Sequence, residues 1–69
     1  MSEDKQKILD LLLVTLQATR DAWDLQALNF DPKTEIVTAL FESGGKRKIN
    51  VAMDSGVAMI RDVMKGLGV

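Results

Sequence analysis

The chain has 69 residues, of which 46% are hydrophobic and 28% charged, and its formal net charge is −1. One domain of this size buries only about 60% of the surface its unfolded chain exposes, so good packing or a partner must add stability. There are no cysteines and no histidines, which removes disulfides, thiolate metal sites, histidine–zinc chemistry and the commonest general base.

The N-terminus, Met1-Ser-Glu-Asp-Lys5, is acidic and polar and does not start a signal peptide. No apolar run exceeds the four residues Leu11 to Val14, far short of a membrane span. A cytoplasmic, soluble protein with no membrane partner is expected.

Residues 3–24 read as a helix. Ser2 is a candidate N-cap, and Glu3 and Asp4 suit the positive end of the helix dipole. Ile8, Leu9, Leu12, Leu16 and Trp23 share one face, and Leu11, Val14, Ala18 and Ala22 form a second apolar flank. Together they span an arc of about 220°, much wider than a helix with one core to face requires. The spacing of the second flank resembles a helix–helix seam and predicts contact with another copy, the alternative being the C-terminal helix of the same chain.

Residues 25–34 are ambiguous. Leu25-Gln-Ala-Leu-Asn-Phe30 fits a helical extension, an extra strand or a loop, and Asp31-Pro32 ends any helix there. Glu35–Glu42 and Lys46–Met53 are β-favouring runs around Ser43-Gly44-Gly45 and predict a β-hairpin. A two-residue turn at Gly44-Gly45 would pair Leu40 with Ile49, Thr38 with Val51 and Ile36 with Met53, all on one strongly apolar face. Val37, Ala39 and Phe41 would lie on the other face, which is half apolar and in need of cover. A different loop length would regroup the faces.

Asp54 or Ser55 can cap a last helix over residues 55–66. Val57, Ile60, Val63, Met64 and Leu67 form its apolar face, Lys65 suits its C-terminus, and Gly66 and Gly68 stop it. Met53, Met59 and Met64 read as adaptable core packing, and Trp23 as a core or interface anchor. The expected architecture is a single α+β domain over residues 1–69, ordered α-β-β-α, dimeric through a shared sheet or a helical seam.

Three short motifs touch known chemistry. Gly44-Gly45-Lys46 resembles the end of a phosphate-binding P-loop, but position 40 is leucine and a strand follows, so a turn is expected. Asp54-Ser55-Gly56 resembles the motif of retroviral-type aspartic proteases over a few residues, but a helix follows, so a cap is expected. Were residues 25–30 a strand, the order α-β-β-β-α would resemble a double-stranded-RNA-binding domain. That family expects lysines at the start of its last helix, where this chain has Asp54, Ser55, Gly56, Val57 and Ala58.

Charge is segregated. Residues 20–45 carry two cations against five carboxylates, and residues 46–69 five cations against two, so complementarity within the fold or between copies is expected. The expected function is a small non-enzymatic structural or protein-interaction module acting as a homodimer, with an unknown protein partner and no cofactor or metal. Its expected interface is Leu11, Val14, Ala18, Ala22, Val37 and Phe41. The alternative is weak nucleic-acid binding through phosphate contacts from Lys46, Arg47 and Lys48.

Overall fold

The computed structural model describes residues 4–69. Its elements are α1 (Lys5–Gln17), β1 (Leu25–Asp31), β2 (Ile36–Phe41), β3 (Lys46–Asn50) and α2 (Gly56–Leu67). The class is α+β, but the sheet has three antiparallel strands ordered β1-β2-β3, so the order is α-β-β-β-α rather than α-β-β-α.

Asp4 caps α1, its side chain accepting the Lys7 N–H at 3.0 Å. The expected cap, Ser2, lies outside the described residues. The helix stops at Gln17, short of residue 24, and Thr19 supplies the reason. Its Oγ1 donates to the Leu16 carbonyl at 2.6 Å and accepts the Ala22 N–H at 3.2 Å, a local alternative to the helical ladder.

β1 is the segment whose pattern was ambiguous. A bulge between Leu25 and Ala27 sends Leu25 and Leu28 to the same buried side. The resulting inward spacing of three residues breaks the alternation of a regular strand and mimics a helical face. An Asx turn leads to β2: Asp31 Oδ1 accepts the Lys33 N–H at 2.8 Å, and the Asp31 carbonyl accepts the Glu35 N–H at 2.7 Å.

The β2–β3 hairpin exists as expected, with a different turn. Phe41 N–H donates to the Gly45 carbonyl at 3.0 Å and Gly44 N–H to the Phe41 carbonyl at 2.9 Å, closing a three-residue loop. Of the glycine pair only Gly44 takes a positive φ, +91°, as loops of this length require. The register moves with the loop: Val37 pairs with Ile49, Ala39 with Arg47 and Leu40 with Lys46. An odd shift moves Ile49 to the other face. The expected pairs Leu40–Ile49, Thr38–Val51 and Ile36–Met53 are therefore wrong.

Both helices cover the face that carries Val37 and Ala39 together with their ladder neighbours Ile49 and Leu28; α1 lies on β1 and α2 on β3. Leu9, Leu16, Leu28, Val37, Ala39, Met59 and Val63 are buried there. Burying each large aliphatic side chain contributes about 1.5–3 kcal/mol. Ile36, Thr38 and Leu40, expected on the strongly apolar face, line the other side of the sheet and are half-buried.

Ser55 caps α2, accepting the Ala58 N–H at 3.2 Å, and Gly68 ends it in a left-handed conformation. Gly66 does not stop the helix. It lies inside α2, where an added Cβ would come within 2.5 Å of Ile49 Cγ1. Met59 is the core methionine, whereas Met53 is 96% exposed and Met64 is exposed as well.

Candidate functional site

The six residues expected at an interface divide in two. Leu11 and Val14 are 63% and 66% exposed on the outer face of α1, and Ala18, its C-cap, is exposed beside them in sequence. Ala22 and Val37 are buried in the core of the same chain, and Phe41 packs half-buried against it. Ala22 and Val37 are thereby corrected from interface to core residues, Val37 because the helices cover the sheet face that was expected to need other cover.

The basic run at the hairpin also divides. Arg47 lies on the helix-covered face, and its Nη1 donates to the Gly66 carbonyl at 2.9 Å. Alternation along β3 puts Lys46 and Lys48 on the opposite, open face. Three cations expected to act together therefore serve two faces, and one of them is held at the C-terminal end of α2, a favourable place for positive charge.

Both sheet edges are occupied or charged. On β1, Gln6 Nε2 donates to the Leu28 carbonyl at 3.0 Å, and Gln6 Oε1 accepts the Phe30 N–H at 2.9 Å. One side-chain amide thus stands in for the peptide group of a missing neighbouring strand. Gln17 Nε2 donates to the Leu25 carbonyl at 2.8 Å farther along the same edge. On β3, the ladder bonds Phe41 N–H to Gly45 O and Val51 N–H to Glu35 O fix the alternation. The peptide groups of Lys46, Lys48 and Asn50 consequently point outward from the sheet.

Two further places were not legible as sites. Trp23 lies in the α1–β1 connection, 64% exposed rather than a core anchor. It lines a depression of about 330 Å³ with Asp24, Glu42 and Ser43. The sequence signal available was Asp21-Ala-Trp-Asp24, a tryptophan between acids just beyond the threonine that ends α1. At the start of α2, Asp54 is not the cap. Its Oδ2 is enclosed with no hydrogen-bond partner among the described residues. The neighbouring Asp62 carboxyl, followed by burial, raises its pKa, and the positive charge of Lys5 opposes the shift.

No group of three or more acidic side chains among the described residues is arranged to hold a metal ion. No helix among them is long and apolar enough to cross a membrane. No protein-family model, curated protein or solved structure matches the chain.

Proposed function

We propose that this chain is a non-enzymatic protein-interaction module that works as a homodimer, with its self-contact along the outer face of α1. The observation that carries this reading is the exposure of Leu11 and Val14 on a helix whose inner face is already filled by Leu9 and Leu16. With Ala18 they continue a seam spacing that two antiparallel copies of α1 can share. The helix has 13 residues, a contact about 20 Å long, so the expected dimer is weak and concentration-dependent.

Sedimentation velocity across a micromolar concentration series tests this. The wild type is expected to shift from monomer to dimer, and Leu11→Asp and Val14→Asp to remain monomeric. Because each side chain is about two-thirds exposed, either change should cost the monomer only about 0.5–1 kcal/mol. Unaltered circular dichroism would then separate lost association from lost folding. A wild type that stays monomeric throughout sinks the proposal.

The element order favours one second reading, double-stranded-RNA binding. Against it, the first turn of α2 offers Gly56, Val57 and Ala58 and no cation, and Arg47 is already engaged. Filter binding at low salt decides it, since an electrostatic contact would be strongest there. No retention removes this alternative.

A further inference from the structure

We propose that Trp23, Asp24 and Glu42 form a docking site for an arginine side chain presented by a protein partner. The inference rests on the interaction-module reading and names a partner chemistry for it, at a place separate from the α1 self-contact.

An exposed tryptophan is costly to leave in water, and here its position is held. Buried Ala22 precedes it, with its N–H on Thr19 Oγ1 and its carbonyl accepting the Leu25 N–H at 3.2 Å. Asp24 follows it, and the Asp24 carbonyl accepts the Glu42 N–H at 2.9 Å, tying the connection to the tip of the β2–β3 hairpin. The backbone on both sides of the indole is therefore fixed before any partner arrives. Pre-organisation of this kind lowers the ordering cost of binding, and tryptophan is among the residues that dominate binding energies.

The lining decides which group fits. The depression is lined by Trp23, Asp24, Glu42 and Ser43; its surface is mostly apolar, and two of the four residues are acidic. An acidic group would be repelled, and an aliphatic one would cover the carboxylates without pairing them. A cation can lie near the indole and pair with Asp24 or Glu42. Among cations, guanidinium alone is planar, stacks on an aromatic face and offers several N–H groups to carboxylates at once.

The neighbouring cations do not fill this depression. Lys46 and Arg47 line a separate one, which they share with Asp21 and Asp24, and Arg47 is bonded to the Gly66 carbonyl. Arg20, earlier in the connection, lines neither. Of the two acids, Asp24 lines both depressions and Glu42 only the one beside Trp23.

Trp23 is the chain's sole tryptophan, so its emission reports on this site alone. The probe is a short glycine-flanked peptide with two arginines, compared with its lysine counterpart and its neutral citrulline counterpart. The expected result is a saturable emission change with the arginine peptide, weaker binding of the lysine peptide and no binding of the citrulline peptide. Glu42→Gln should weaken arginine-peptide binding by roughly two- to fivefold, the worth of one exposed ion pair. Leu11→Asp should bind the peptide like the wild type even if self-association is lost, which separates failure of this site from failure of the dimer. An unchanged emission, equal binding of the citrulline peptide, or an unaltered affinity in Glu42→Gln would overturn the proposal.

Discussion

Replacing Gln6 by methionine isolates the device that closes the β1 edge. Methionine keeps the length and most of the volume of the side chain while removing its amide. Three bonds are lost: Nε2 to the Leu28 carbonyl at 3.0 Å, Oε1 from the Phe30 N–H at 2.9 Å, and Nε2 to Asp10 Oδ1 at 2.8 Å. The last is exposed and worth only a few tenths of a kcal/mol. The other two are part-buried, and a thioether stem over them would hinder water from replacing the amide. A neutral hydrogen bond contributes about 0.5–1.5 kcal/mol net, so the loss of two should total about 1–3 kcal/mol. In a domain of this size each kcal/mol moves Tm by about 4–8 °C, so the variant should melt roughly 4–24 °C lower. Thermal denaturation followed by circular dichroism measures it, with Gln17→Met as a milder control that loses one such bond. A second readout is association, since a bared edge invites strand pairing. If Gln6→Met melts within about 2 °C of the wild type and sediments identically, water satisfies this edge as well as Gln6 does, and the reasoning fails.

Two further predictions follow from close approach and from charge. Gly66→Ala should destabilise the fold by about 1–2 kcal/mol in urea titration despite alanine's better helix propensity, because the added Cβ meets Ile49 Cγ1 at 2.5 Å; a neutral or stabilising result would show that α2 shifts freely on β3. Asp54 has a raised pKa in the fold, so its ionised form is disfavoured there. The penalty is fully present above the folded pKa and fades as pH falls through it toward the ordinary carboxylate range. Asp54→Asn should therefore raise Tm at neutral pH, with the advantage shrinking in acid, and a gain that grows in acid would contradict the sign.

What was legible in the sequence was what local chemistry decides. A cap at Asp54 or Ser55, the cation in the last turn of α2 and a hairpin at Gly44-Gly45 needed only nearby residues. Misplaced features depended on choices that the sequence pattern leaves degenerate. Thr19 ended α1 early by bonding Leu16 and Ala22, although the apolar spacing ran on to Trp23. The bulge at the start of β1 erased the alternation that would have marked Leu25–Asp31 as a strand. One extra loop residue at the hairpin reversed the face of Ile49. Of the expected interface, Ala22 and Val37 went to the core of the same chain, whereas Leu11 and Val14 remained on the surface.

The closed edges also constrain how two copies can meet. A shared sheet was one of the two expected routes to a dimer, and it requires a free edge. The β1 edge is bonded to Gln6 and Gln17. The β3 edge has outward peptide groups at Lys46, Lys48 and Asn50, and a two-fold antiparallel pairing centred on the middle residue would set Lys48 opposite its own copy. Like charges directly opposite one another destabilise a strand pair, and edge lysines are a common guard against such pairing. Shifting the register to separate the lysines would shorten an already five-residue ladder. A face is therefore the better surface for self-association, and the outer face of α1 can be shared without breaking a hydrogen bond of the monomer. The same guard gives the β3 lysines a role that needs no phosphate, which is why the basic run is better explained by edge protection than by nucleic acid.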